Sequence, residues 1–302
     1  MNRTRQARHM SLLIRQLDAY ARLLRLHRPT GLWLLLWPTL WGLWLASDGQ
    51  PDPHVLGVFV IGTLLMRSAG CAVNDFADRR LDPHVRRTRD RPLATGEVSP
   101  AEALVLSAGL ALIALGLVLT LNRLTQLLAV VGALLTVVYP FTKRWISTPQ
   151  LVLGLAFGWG VPMAFAAQTG QVGQLGWLTY CAVILWAVIY DTQYAMVDRE
   201  DDLKMGARSS AILFGDADRV IVGLLQLILL ATLLLIGQHA GLGGWYQGAV
   251  AVAAGLACWQ QWLMRHRDRD GCFRAFCNNH PFGAVIFTGI ALDHLYRLAP
   301  PA

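Results

Sequence analysis

Apolar residues run through this chain in nine long blocks, near 31–47, 54–73, 101–121, 124–140, 150–168, 174–190, 217–237, 243–264 and 281–298. Most of them approach the ~20 residues that a helix needs to cross ~30 Å of hydrocarbon. The pattern predicts an all-α membrane protein with nine transmembrane helices. The blocks at 124–140 and 150–168 are the most interrupted, by Pro140, Pro149, Pro162 and several glycines; proline removes a helical hydrogen-bond donor. Ahead of the first block, residues 10–28 read as an interfacial helix. Met10, Leu13, Ile14, Leu17 and Leu24 recur at helical spacing, and Arg15, Asp18, Arg22 and Arg25 take the other face.

Composition agrees with the pattern. The 302 residues are 55% hydrophobic and only 15% charged, against roughly 25% charged in soluble domains. Charge placement then sets topology. With the N-terminus inside, nine spans put segments 1–28, 74–100, 141–149, 191–219 and 265–280 on the cytoplasmic face, and these hold 23 of the 26 Lys and Arg residues. The opposite face receives Arg123 and Arg297, and Arg67 falls inside a span. This is a positive-inside signature. The net charge of +7 therefore reports topology and attraction to anionic lipid, and needs no nucleic-acid partner. The expected location is a bacterial-type cytoplasmic (inner) membrane, with no obligate protein partner.

A cleaved signal peptide would need a shorter charged region before its apolar core. Nothing marks a soluble domain or a long linker, so residues 1–302 read as a single membrane-embedded domain with 1–28 as a cytoplasmic or interfacial helix. Cys71, Cys181, Cys258, Cys272 and Cys277 form no framework, and a reducing cytoplasmic face argues against disulfides. Cys272, Cys277 and His280 match no standard zinc spacing.

The chemistry lies in two polar segments between the blocks. The first reads Asn74-Asp75-Phe-Ala-Asp78-Arg79-Arg-Leu-Asp82, and the second runs from Asp191 through Tyr194 and Asp198 to Asp201-Asp202. Asp75, Asp78 and Asp82 are spaced i, i+3, i+7, one helical face. Asp191, Asp198 and Asp202 are spaced i, i+7, i+11 and fall within about 20° of one line at 100° per residue; Asp201 falls well off it. If each segment prolongs its span as a helix, each presents a stripe of carboxylates. The echo between them suggests two pseudo-related halves around a central cavity.

Clustered carboxylates at a bilayer edge imply function. Oxygen-only ligand sets suit Mg²⁺, which binds through one or two carboxylates plus substrate phosphates. Basic residues flank both segments: Arg86, Arg87, Arg89 and Arg91 after the first, Lys204 and Arg208 after the second, with Lys143 and Arg144 between them. Arginine offers phosphate a bidentate fork. The bland alternative is a solvated loop edge in which Asp78 pairs with Arg79 and Asp198 with Arg199. Two matched segments on one face favour the metal and phosphate reading.

These residues carry a resemblance. Asn74-Asp75-x-x-Asp78-Arg79-x-x-Asp82 with Arg87-Thr88-x-x-Arg91-Pro92-Leu93 resembles the first signature of the UbiA superfamily of intramembrane prenyltransferases. Asp191-Thr-Gln-Tyr194-Ala195-x-x-Asp198-x-x-Asp201-Asp202, continuing to Gly206-x-Arg208-Ser209, resembles the second, in the form of the branch acting on 4-hydroxybenzoate. Arg28-Pro29-Thr30-Gly31, Tyr139-Pro140-Phe141-x-Lys143-Arg144 and Phe276-x-Asn278-Asn279 support it. The likeness covers about residues 20–290, and Arg208 stands where lysine is common.

The resemblance implies a helical bundle around a cavity, aspartates at its cytoplasmic mouth, and Mg²⁺ as cofactor. It implies transfer of a polyprenyl group from a polyprenyl diphosphate to 4-hydroxybenzoate, in ubiquinone biosynthesis. The metal set is Asn74, Asp75, Asp78, Asp82, Asp198 and Asp202. Asn74, Asp78, Asp198 and Asp202 are the first choices for direct ligation, with Asp75, Asp82 and Asp191 supporting. Arg87, Arg91, Lys143, Lys204 and Arg208 are assigned to diphosphate. Arg67 and Arg144 are the candidates for the acceptor carboxylate, and Asp191 for helping proton removal. Tyr139 and Tyr194, with Tyr190, are the candidate cation pocket.

Trp33, Trp37, Trp41 and Trp44 share one face of the first span. They could line a prenyl tunnel, but packing and an interfacial belt account for them better. His239, His280 and His294 receive no role. The rival readings are a prenyltransferase with another aromatic acceptor, a multi-span transporter, for which carboxylates would be expected at the midplane, and a phosphatidyltransferase, whose Asp-Gly-x-x-Ala-Arg element is missing.

Overall fold

The structure, a computed structural model, describes residues 2–27, 29–80, 82–84, 88–142, 146, 148–205 and 209–298. Its helices are α1 (Asn2–Leu23), α2 (Thr30–Ala46), α3 (Pro53–Asp78), α4 (Pro100–Val118), α5 (Arg123–Thr142), α6 (Pro149–Gly158), α7 (Gly160–Thr169), α8 (Gly173–Met205), α9 (Ser210–Phe214), α10 (Asp218–His239), α11 (Gly244–Leu263), α12 (Arg269–Cys277) and α13 (Asn279–Leu298). Among the described residues there are no strands. Five helical stretches are long and apolar enough to cross a membrane: Pro53–Asp78, Pro100–Val118, Pro149–Thr169, Gly173–Lys204 and Ser210–His239. Thr30–Ala46 and Arg123–Tyr139 are shorter apolar helices.

The helix starts follow local sequence chemistry. Asp52 precedes Pro53 and accepts from the Val55 amide at 2.9 Å, a cap followed by proline in the first turn. Ser99 and Glu102 form a reciprocal capping box at α4, with Ser99 N donating to Glu102 Oε2 at 2.8 Å and Glu102 N to Ser99 Oγ at 3.2 Å. Asn122 caps α5 through the Thr125 amide at 3.0 Å, and Asp268 caps α12 through the Gly271 amide at 2.8 Å.

Two departures from the predicted pattern matter. The block at 150–168 is two helices broken at Trp159, where Pro162 cannot donate to the preceding turn and the Trp159 amide reaches back only to Ala156 O at 3.4 Å. The block at 174–190 continues as one helix through Met205, so α8 carries the whole second aspartate segment.

Two compact units emerge. One comprises Met1–Leu32 and Ile61–Leu117; the other comprises Trp33–Val60 and Val118–Ala302. In the first, Ala19 and Leu23 of α1 pack with Ala72 of α3, Leu93, Val98 and Ala103. Gln16 and Tyr20 donate to Glu102 at 3.1 and 2.9 Å, and Arg22 pairs with Glu97. The opposite face of α1 leaves Met10, Leu13, Ile14 and Leu17 exposed, as an interfacial helix requires.

The core of the second unit centres on Trp41, Trp186, Tyr246, Leu229, Leu233 and Ile286. The α2 tryptophans pack on α13. The Trp41 indole N–H donates to Gly283 O at 3.1 Å, and the Trp37 indole N–H to His280 Nδ1 at 3.0 Å. Gly283 makes this approach possible: a Cβ there would lie 2.6 Å from Trp186 and 2.7 Å from Trp37. Asp293 of α13 accepts from the Gly243 and Tyr246 amides at the start of α11, where unpaired N–H groups favour a carboxylate.

Candidate active site

In the first unit, α3 ends at Asp78, so Asn74, Asp75 and Asp78 are helical but Asp82 is not. Asp82 begins a separate short 3₁₀ turn, Asp82–His84. Pro83 follows it: in a continuing α-helix the proline would offer no N–H and its ring would clash with the carbonyl four residues back, at Arg79. The single stripe of Asp75, Asp78 and Asp82 expected from i, i+3, i+7 spacing is therefore broken after its second member.

The carboxylates of this segment fall into two groups. Asp75 is fully buried and its Oδ1 receives Arg25 Nη2 at 2.7 Å and Arg91 Nη1 at 3.0 Å. Arg91 Nη1 also reaches both oxygens of Asp82, at 3.0 and 2.9 Å. Arg25, Asp75, Arg91 and Asp82 thus form a neutral chain of two cations and two anions. Burial lowers the Arg25 guanidinium from its ordinary value, with the Asp75 carboxylate opposing. Burial also pushes the Asp82 carboxyl up, against Arg91. Asn74 and Asp78 form the second group, one turn apart and only half-buried, with Asn74 Nδ2 3.4 Å from Asp78 Oδ2.

The neighbouring arginines have defined contacts. Arg79 donates to Phe76 O at 2.7 Å and lies over the Phe76 ring at 4.2 Å. Arg67 donates to Leu24 O at 2.8 Å, and Gly31 leaves it room: a Cβ there would come within 3.1 Å of Arg67 Nη2.

In the second unit, α8 carries Asp191, Tyr194, Asp198 and Asp202, all partly exposed. Asp198 and Asp202 are one turn apart. Asp201, excluded from the stripe by its angle, turns to α12, where Arg269 Nη1 lies 3.2 Å from it and Nη2 3.1 Å from Glu200. These contacts raise the Arg269 guanidinium. Arg199 lies 3.7 Å from the buried carboxylate of Asp218, which Arg267 also meets at 2.8 Å.

The aromatic candidates have measurable neighbours. Tyr194 lies 4.7 Å from the Phe276 ring and Tyr190 6.3 Å from it. Tyr139 packs against the core of this unit. Among the described residues nothing hydrogen-bonds to the buried Tyr190 hydroxyl. Lys204 is exposed at the end of α8. Arg86, Arg87, Lys143, Arg144 and Arg208 lie outside the described residues.

A buried amide network escaped the sequence reading. Asn279 donates to Gln193 at 2.6 Å and accepts from the Trp186 indole N–H at 2.9 Å. Gln260 accepts from Gln193 and Gln226 at 2.9 and 2.8 Å and donates to Asn278 at 3.2 Å. The signal was present, because Gln226 and Gln260 interrupt apolar blocks, where polar residues are costly and purposeful. The network braces α8 between Asp191 and Tyr194.

Among the described residues no three His, Cys, Asp or Glu side chains gather into a closed metal cluster. Oxygen-donor pairs one turn apart, Asn74 with Asp78 and Asp198 with Asp202, are instead the incomplete hard-ligand sets that Mg²⁺ accepts when phosphate oxygens fill the remaining positions. The residues present fit that ion.

Apolar helices ending in oxygen-rich segments define a multi-pass membrane protein. Residues 35–286 match the UbiA prenyltransferase family, and the chain belongs to it. It is 60% identical over 280 residues to the 4-hydroxybenzoate octaprenyltransferase of Nitrosococcus oceani, covering 93% of this chain and 98% of that protein. It is 57% identical over 279 residues to the protein of the same name from Methylococcus capsulatus, covering 92% and 96%. The apo structure of a UbiA homolog from Aeropyrum pernix K1 matches with a TM-score of 0.77 at 26% identity, over 87% of this chain and 97% of that one. A UbiA homolog from Archaeoglobus fulgidus bound to GPP and Mg²⁺ shares the fold, with a TM-score of 0.69 at 16% identity, over 90% and 99%.

Proposed function

We propose that this protein transfers a polyprenyl group from an all-trans-polyprenyl diphosphate to the ring carbon ortho to the hydroxyl of 4-hydroxybenzoate, releasing diphosphate, in ubiquinone biosynthesis. The observation that carries this reading is the paired oxygen donors at the end of α3 and on α8, in a chain so similar along its length to 4-hydroxybenzoate octaprenyltransferases. The fold is read as nine transmembrane helices, adding α2, α5, α11 and α13 to the five stretches above. The N-terminus and the aspartate segments face the cytoplasm across a bacterial inner membrane, as charge placement suggests.

Asn74, Asp78, Asp198 and Asp202 would hold Mg²⁺, which when bound supplies Lewis-acid stabilisation of the departing diphosphate. Asp75 and Asp82, the supporting members of the metal set, spend their charge on Arg25 and Arg91. Arg91, proposed from the sequence for the diphosphate, is committed to these two carboxylates, while Lys204, Arg87, Lys143 and Arg208 take the diphosphate oxygens. The allylic C–O bond breaks with its electron pair leaving on diphosphate. The ring carbon ortho to the phenol attacks the allylic carbon, and the ring proton is then lost with the help of Asp191. Tyr139 and Tyr194 offer π faces to the allylic cation. Arg67 or Arg144 binds the acceptor carboxylate.

The test is an assay on membranes containing the protein, with labelled 4-hydroxybenzoate, a polyprenyl diphosphate and Mg²⁺. The expected product is the 3-prenylated acid, with activity abolished by EDTA and restored by Mg²⁺. Transport of label without a new carbon–carbon bond, or a preference for homogentisate or a naphthoate, would overturn the assignment.

A further inference from the structure

We infer that Arg25, outside both aspartate segments, is a positioning residue for the first of them, so that the end of α1 is part of the catalytic apparatus. This rests on the prenyl-transfer reading above. The geometry begins with the backbone. α1 stops at Leu23, and Arg25 adopts a left-handed conformation with φ 57°, which is uncommon for a residue with a side chain and marks an imposed turn. The turn is closed by Arg25 N donating to Arg22 O at 3.1 Å and Leu26 N to Ala21 O at 3.0 Å.

α3 grips this corner twice. Arg67 donates to Leu24 O at 2.8 Å, and eight residues further along α3, Asp75 receives Arg25 at 2.7 Å. Eight residues are about two helical turns, some 12 Å, so the contacts fix the rotation of the final part of α3 as well as its position. Asp75 is the immediate neighbour of Asn74 and lies three residues before Asp78. Its buried carboxylate spends Oδ1 on both arginines, and among the described residues nothing hydrogen-bonds to Oδ2. With Arg25 removed, Asp75 would keep only Arg91, which Asp82 also claims. The rotation of the Asn74–Asp78 pair would lose its anchor.

The experiment compares full-length wild type, Arg25→Met and Arg25→Lys, purified in detergent. Mn²⁺ binding is followed by EPR, and the Mg²⁺ concentration for half-maximal prenyl transfer is measured alongside. Arg25→Met is expected to weaken Mn²⁺ binding about tenfold, the scale of lost outer-shell support, and to raise the half-maximal Mg²⁺ to match. KM for 4-hydroxybenzoate should stay unchanged, and Arg25→Lys should recover part of the loss. A folded Arg25→Met protein with wild-type Mn²⁺ binding and Mg²⁺ response overturns the inference. If Arg25→Met does not fold, Arg25→Lys decides by the same two readouts. A wild type that binds Mn²⁺ yet forms no prenylated product overturns the functional reading instead, and the Mn²⁺ titrations still judge Arg25.

Discussion

Arg269 Nη1 lies 3.2 Å from the Asp201 carboxylate. The contact joins the first turn of α12 to the acidic end of α8, where five consecutive charges, Asp198 to Asp202, divide between partners. Glu200 and Asp201 face α12, and Arg199 faces Asp218. Asp198 and Asp202 are one helical turn apart on α8.

Asp198→Ala and Asp202→Ala should therefore each cut prenyl transfer by about 100-fold or more, because metal stabilisation of a leaving group is worth several kcal/mol and each 1.4 kcal/mol is tenfold. Asp201→Ala should keep most activity and cost less than about 1 kcal/mol of stability, as expected for a partly exposed pair. Initial rates under saturating Mg²⁺ and melting curves of the purified variants check both. Equal losses at all three positions would remove the division.

The first segment separates stability from chemistry. Asp75 is buried between two arginines, and removing one partner of such a group costs about 3–5 kcal/mol. Asp75→Ala should lower the melting temperature markedly, whereas half-buried Asp78→Ala should melt near wild type and be inactive. Thermal unfolding in detergent, paired with the prenylation assay, distinguishes the two. A stable, inactive Asp75→Ala protein would return Asp75 to the metal set.

Arg22 holds the Glu97 carboxyl below its usual value, chiefly through their hydrogen bond. A carboxylate depressed in the folded state stabilises above its unfolded pKa and loses that contribution as pH falls through the folded one. Attachment of α1 to the loop before α4 should accordingly weaken as pH drops below 4.5. Hydrogen-exchange protection along residues 13–23, taken relative to the intrinsic rate at each pH, should fall in that window, and Glu97→Gln should flatten the response.

Much of this was legible in the chain. The apolar blocks and prolines located the helices, because in lipid every backbone group must be satisfied within its own segment. Asp201, set off the line of Asp191, Asp198 and Asp202 by its helical angle, pairs with Arg269 of α12. What sequence could not reveal was pairing at a distance in the chain. Nothing near Asp75 announces Arg25, fifty residues earlier. Helical spacing also misled at Asp82, because α3 stops at Asp78 ahead of Pro83, which cannot continue an α-helix. The amide network needed partners from α8, α10, α11 and α13 at once, and periodicity within one helix cannot supply that.

That network yields the last prediction. Asn279 is almost fully buried, accepts from Trp186 and donates to Gln193. Asn279→Ala would leave the indole N–H and the Gln193 amide oxygen without this partner. Interhelical hydrogen bonds inside membranes average about 0.6 kcal/mol, and an orphaned buried group costs about 1–3 kcal/mol, so a loss within that range is expected. Trp186→Phe removes one of the same bonds from the other side, so the double variant should lose less than the sum of the single ones. Activity should fall as well, because Gln193 lies between Asp191 and Tyr194 on α8 and its side chain fixes that turn. The cycle is read from melting curves and prenylation rates of the four proteins. Strict additivity would mean that Trp186 and Asn279 act independently, and unchanged rates would detach the network from the site.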